Sequence, residues 1–138
     1  AIKEKDAFLA TGHISPEESL ILCREGRKRG VNMILTHPEF PRTRIGRDDQ
    51  AELAKLGVVI EKNWFNLAQK SVMPEEMAET IRTVGSGHVY LATDRGQKGA
   101  PTPVSELKRF IAVMLTCGIA EAQIRDMVQK VPEEVVCR

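Results

Sequence analysis

Between Gly30 and Pro38 the chain reads Val31-Asn32-Met33-Ile34-Leu35-Thr36-His37, an apolar run that ends on an imidazole. Apart from Asn32 it does not alternate, which suits a strand covered on both faces and points to a parallel sheet. Two further runs also end on residues that ligate metals: Ala7-Phe8-Leu9-Ala10-Thr11-Gly12-His13 and His88-Val89-Tyr90-Leu91-Ala92-Thr93-Asp94. A shorter one, Val58-Val59-Ile60, closes on Glu61.

Helical patterns lie between these runs. Ser15-Pro16-Glu17-Glu18 is a helix start, with Ser15 as cap, Pro16 at the first helical position and Glu18 completing a capping box. That helix carries basic residues in its last turns and stops at Gly30. A second is expected over 48–56, a third opens at Met73-Pro74-Glu75-Glu76, and a fourth follows Pro103 with Leu107, Phe110, Ile111, Met114 and Leu115 at helical spacing. Asn63-Trp64-Phe65 reads as loop, and a last helix is expected over 121–130, before Pro132.

The order is therefore βαβαβαβ followed by two terminal helices, an α/β parallel repeat forming one domain over residues 1–138. Right-handed crossovers bring the C-terminal ends of such strands to one rim, where α/β folds carry their chemistry. His13, His37, Glu61 and Asp94 are expected there, whereas His88 opens its strand and belongs to the opposite rim in a structural role.

Composition narrows the classes of function. The 20 basic and 19 acidic residues are interspersed and aromatic residues are few, which argues against a nucleic-acid groove. No apolar run has the length of a membrane span. The three cysteines, Cys23, Cys117 and Cys137, form no C-x-x-C pair. Neither a zinc knuckle nor a disulfide framework is expected, and a reducing cytoplasm is the simplest location. Cys23 and Cys117 fall within helical patterns and read as small core residues.

Two imidazoles and a carboxylate on one rim suit a divalent metal, zinc first, with a coordination position left for water. The expected ligands are His13, His37 and Asp94. A strand-end histidine by itself more often packs or caps, and Asp94 alone would suit a turn; it is their shared topological position that favours the metal. Glu61 either points into the site or pairs at the surface with Lys62. Trp64 and Phe65 either wall a substrate pocket or cover the mouth of the sheet, and Arg95 is a further pocket residue. Arg42, Arg44 and Arg47 read as a solvated basic loop rather than an anion site. Gly96 and Gly99 do not form a phosphate fingerprint.

These residues resemble a known family. Thr11-Gly12-His13-Ile14-Ser15-Pro16-Glu17-Glu18, Leu35-Thr36-His37-Pro38 and Thr93-Asp94-Arg95-Gly96-Gln97 are similar to the second half of the amidohydrolase superfamily, in particular to an uncharacterised amidohydrolase-related bacterial group. The likeness runs over nearly the whole chain. It implies the C-terminal half of a TIM-like (β/α)8 barrel and hydrolysis of an amide, ester or related bond in a small-molecule substrate. It makes His13 and His37 metal ligands after the fifth and sixth strands. Asp94 becomes the carboxylate after the eighth, touching the metal and taking the proton from the attacking water.

The departure from that family is equally plain. Its first strand carries His-x-His, and this chain, with three histidines, has none. Ile2-Lys3-Glu4-Lys5-Asp6 also reads as the end of a helix rather than a beginning. Three explanations are open: a piece of a longer protein, a homodimer completing the barrel, or a different chain supplying the first half. Two other functional classes compete with the hydrolase, namely a non-catalytic α/β module that self-associates and a two-His, one-carboxylate metal protein with redox chemistry.

Overall fold

A computed structural model describes residues 1–137. Four strands, β1 (Phe8–Ala10), β2 (Asn32–Leu35), β3 (Val59–Asn63) and β4 (Val89–Ala92), form one sheet in the order β1-β2-β3-β4. All neighbours run parallel, with Ala10 beside Ile34, Leu35 beside Ile60 and Glu61 beside Tyr90. The α/β parallel repeat expected from the sequence is the fold that the chain adopts. Among the described residues β1 and β4 each pair on one side only.

Helices α1 (Pro16–Lys28), α2 (Arg47–Lys55), α4 (Pro74–Val84) and α5 (Pro103–Thr116) alternate with the strands. The α1 start is a complete capping box: Glu18 N donates to Ser15 Oγ at 3.2 Å and Ser15 N to Glu18 Oε2 at 3.0 Å. Close packing of α1 on β2 depends on Gly26, since a Cβ there would lie 2.4 Å from the Met33 sulfur. Gly30, at φ +73°, then turns the chain into β2.

Alternation along the strands sorts side chains between the two faces. Met33, Leu35, Ile60, Val89 and Leu91 join Cys23, Leu53, Met77, Ile81, Phe110 and Met114 in the core beneath the helices. On the other face β3 and β4 carry Glu61, Asn63 and Tyr90, so the sheet becomes polar towards its C-terminal rim.

Two stretches depart from the sequence reading. Asn63 caps a short helix, α3 (Trp64–Ala68), where a loop was expected; its Oδ1 accepts from Phe65 N at 2.8 Å. The expected 121–130 helix divides into α6 (Glu121–Arg125) and a π-helical turn (Asp126–Lys130), and the chain continues into α7 (Val131–Val136). Pro132 does not end the helix, because it lies in the first turn of α7, where no amide donor is needed. Cys117 caps α5 and is half-buried, whereas Cys23 is wholly buried. Lys3–Lys5 form a 3-10 turn before β1. Among the described residues no helix is long and apolar enough to cross a membrane.

Candidate functional site at the C-terminal rim

The first two strand ends are clasped to each other beyond their last paired residues. Thr36 N donates to Thr11 Oγ1 at 3.0 Å, and Gly12 N donates to Thr36 Oγ1 at 3.3 Å. The two threonines thus continue the link between the strands past the ladder, just before the histidines that follow. The rings of His13 and His37 lie 5.0 Å apart between centroids, tilted by 52°, and Phe40 stands edge-on to His13.

His37 and Asp94 both occupy the left-handed backbone region, at φ 49° and 51°. Asp and His tolerate this region better than most residues, but the conformation still costs about 1 kcal/mol each and needs support. At His37 the support is visible: its carbonyl accepts from Thr43 Oγ1 at 2.6 Å and from Phe40 N at 3.0 Å. At Asp94 the carbonyl accepts from Gln97 Nε2 at 3.1 Å. Both side chains are thereby turned off the strand direction at the same point of their βα units.

Glu61 is buried and takes the central place. Its Oε1 lies 2.6 Å from His37 Nδ1 and accepts from Asn63 Nδ2 at 3.1 Å, while its Oε2 accepts from Tyr90 Oη at 2.7 Å. Asn63 Nδ2 also stands 3.1 Å from His37 Nδ1. With Glu61 as the nearer acceptor, Nδ1 carries a proton, and Nε2 is the nitrogen left for a ligand or a proton. The hydrogen bond to Glu61 raises the His37 pKa; burial opposes it, and the charges of Glu61, Asp94 and Glu39 add to it. Burial pushes the Glu61 carboxyl up, but hydrogen bonds from His37, Tyr90 and Asn63 outweigh it and hold the group below the usual carboxylate value.

Glu61 therefore points into the site and does not pair with Lys62. Lys62, fully buried, faces the helix layer, where its Nζ meets Glu39 Oε1 and donates to Gln50 Oε1 at 2.6 Å. Gln50 Nε2 donates to Ile45 O at 2.8 Å. Neither this network nor the roles of Asn63 and Tyr90 were identified from the sequence. The signal was the polar triplet Glu61-Lys62-Asn63 ending an otherwise apolar strand.

Trp64, Arg95 and Glu106 form a third group. Glu106, 2 % exposed, accepts from Trp64 Nε1 and, at 2.9 Å, from Arg109 Nη1; Arg95 Nε lies 3.3 Å from it. Trp64 also packs against Phe110 of the core at 5.8 Å. The basic loop is spent elsewhere: Arg44 donates to Ser71 O, and Arg47 pairs with Glu79 at 2.6 Å. His88 directly precedes β4, at the other end of the strands, beside Phe8, Asn32 and Val59.

Of the expected ligands, His13 and His37 are brought together, and Asp94 is near enough for its charge to act on His37. Among the described residues no three His, Cys, Asp or Glu side chains converge into a group that would hold a metal ion. In kind the donors suit zinc: His37 has its tautomer fixed by a carboxylate, as metal-bound histidines commonly do, and His13 and Asp94 are exposed.

Residues 1–61 match the model of a family described as a family of unknown function (DUF6282). That span contains His13, His37 and Glu61 and stops before Asp94, Trp64 and Arg95. No curated protein and no solved structure matches the chain.

Proposed function

We propose that this rim is part of a metal-dependent hydrolytic site acting on an amide, ester or related bond. The observation that carries the reading is the His37–Glu61 contact beside the His13 ring. An imidazole locked by a buried carboxylate presents its other nitrogen in a fixed direction, and a second imidazole adjoins it. His13, His37 and Asp94 would hold the ion, with Glu61 fixing the His37 ring and Tyr90 and Asn63 fixing Glu61. Bound zinc supplies a hydroxide near neutral pH. Asp94, exposed on the same rim with its charge reaching His37, would take the proton released by the attacking water. The likeness to the second half of the amidohydrolase superfamily supports the same assignment.

Chelator-treated protein titrated with zinc chloride in a calorimeter tests this. The expected result is stoichiometric binding that is lost in His13→Ala and His37→Ala. Absence of zinc binding, or binding unchanged in both variants, overturns the reading.

The edges of β1 and β4, unpaired among the described residues, favour a second reading, in which the sheet is completed by another copy or another polypeptide segment. Light scattering tests the first form: a mass of twice the chain supports the homodimer, and the chain mass excludes it.

A further inference from the structure

Arg95 follows Asp94 on the rim and is held from two sides. Its Nε lies 3.3 Å from the buried Glu106 carboxylate, and its guanidinium carbon stands 5.5 Å from the centre of the Phe65 ring. The side chain is only 15 % exposed. Yet, among the described residues, neither of its amino groups donates a hydrogen bond, and its Nε has no well-aligned acceptor.

That pattern differs from the structural arginines of this protein. Arg27 places its Nε on Leu56 O at 2.8 Å and its Nη1 on Val31 O at 3.0 Å. Arg82 donates to Cys117 O at 2.5 Å, and Arg44 to Ser71 O. Those guanidiniums fasten backbone carbonyls, whereas the fork of Arg95 is unspent. Nor is Arg95 required to neutralise Glu106, which already has Arg109 at 2.9 Å. Two guanidiniums face one carboxylate, leaving one net positive charge. Arg109 is 63 % exposed and dissipates its charge in water, whereas Arg95 is 15 % exposed.

The fork also belongs to the same rim as the histidines. Trp64 and Phe65, which fix Glu106 and Arg95, directly follow Asn63, and Asn63 touches both Glu61 and His37. We infer that Arg95 binds a carboxylate group of the substrate, beside the Phe65 ring. The chemistry assigned to that substrate rests on the hydrolytic reading above; the anion site itself does not.

A carboxylate fits better than a phosphate. Its two oxygens match the planar fork, and its single charge matches the single excess positive charge. Asp94 and Glu61 on the same rim oppose a dianion. The substrate class is therefore a carboxylate-bearing amide or ester.

The test is NMR of the chelator-treated protein, following the Arg95 Nε–H and Trp64 indole N–H signals during titration with sodium acetate, sodium phosphate or sodium chloride at constant ionic strength. Acetate is expected to shift both signals with a dissociation constant of ~10 mM, while chloride leaves them in place. Arg95→Lys, which keeps the charge and loses the fork, should weaken acetate roughly tenfold, and Arg95→Gln should abolish its effect. If a variant fails to fold, the wild-type shifts decide alone. Acetate acting no differently from chloride overturns the inference, as does a folded Arg95→Gln that titrates like wild type. Tighter binding of phosphate than acetate overturns the carboxylate assignment. Zinc binding without acetate binding refutes the anchor and leaves the hydrolase; acetate binding without zinc binding does the reverse.

Discussion

His37 Nδ1 and Glu61 Oε1 lie 2.6 Å apart, joining the turn after β2 to the last residues of β3. The pair is the electrostatic centre of the rim, and its two members titrate in opposite senses. His37 is raised, so its contribution to stability is fully present below its unfolded value of 6.5 and is lost as pH rises through the folded value. Glu61 is lowered, so its contribution is present above its unfolded value of 4.5 and is lost as pH falls through the folded one. Metal-free protein should therefore be most stabilised by this pair between 4.5 and 6.5. Glu61→Gln should lower the His37 titration midpoint, read from its imidazole proton shifts, and flatten the stability profile across that window. A midpoint that does not move would remove Glu61 as the cause.

The Lys62–Glu39 pair makes a prediction about folding rather than chemistry. Lys62 is wholly buried and Glu39 is 5 % exposed, with Glu39 Oε2 already lacking a hydrogen-bond partner among the described residues. Burial lowers the Lys62 pKa more than the Glu39 and Glu76 charges raise it. Lys62→Met should strand the Glu39 carboxylate and cost about 3–5 kcal/mol in urea unfolding. The double variant Lys62→Met, Glu39→Gln should recover most of that loss, because no uncompensated charge remains. A double variant as unstable as the single would mean that shape, not charge, is at stake.

The fold was legible because the apolar runs are short, strand-like and separated by well-marked helix starts such as Ser15-Pro16-Glu17-Glu18, which forms the capping box that it spells. Local signals sufficed there. His13 and His37 were legible for the same reason, as each ends a run. Glu61 and Lys62 were not separable, since neighbours in a strand point to opposite faces and only the sheet fixes which face is which. The part played by Glu106 was invisible, because it lies 42 residues from Trp64 and 11 from Arg95, and no periodicity links them. The division of the C-terminal helix was missed because Pro132 reads as a stop, whereas the π-helical turn before it lets the helix continue.

Glu106 should control the environment of the single tryptophan. Replacing it with Ala removes the acceptor of the Trp64 indole and takes the buried carboxylate away from the Arg95 guanidinium, a loss of about 3–5 kcal/mol for a buried charge deprived of its partner. Arg109 contributes little to that loss, being 63 % exposed. Glu106→Gln keeps one acceptor oxygen and should cost less than Glu106→Ala. Tryptophan emission should shift to longer wavelength in Glu106→Ala at denaturant concentrations where wild type is native. Wild-type emission and stability in that variant would show that Trp64 is held by Phe110 packing alone.

The cysteines should separate by burial and thiolate content. Cys23 is 0 % exposed, under the α1–β2 contact that Gly26 permits, and burial pushes its thiol up to about 11. At pH 8 its thiolate fraction is then on the order of one in a thousand, and the reagent cannot reach it without opening the core. Cys137 is exposed, and Cys117, half-buried at the end of α5, lies between them. Iodoacetamide at pH 8 followed by peptide mass spectrometry should show alkylation of Cys137 first, then Cys117. Cys23 should react only as fast as the protein unfolds, with a rate that rises with urea. Early labelling of Cys23 without denaturant would mean that α1 lifts from the sheet in the native state, and the clasp between Thr11 and Thr36 would then not be enough to hold the two histidines at their spacing.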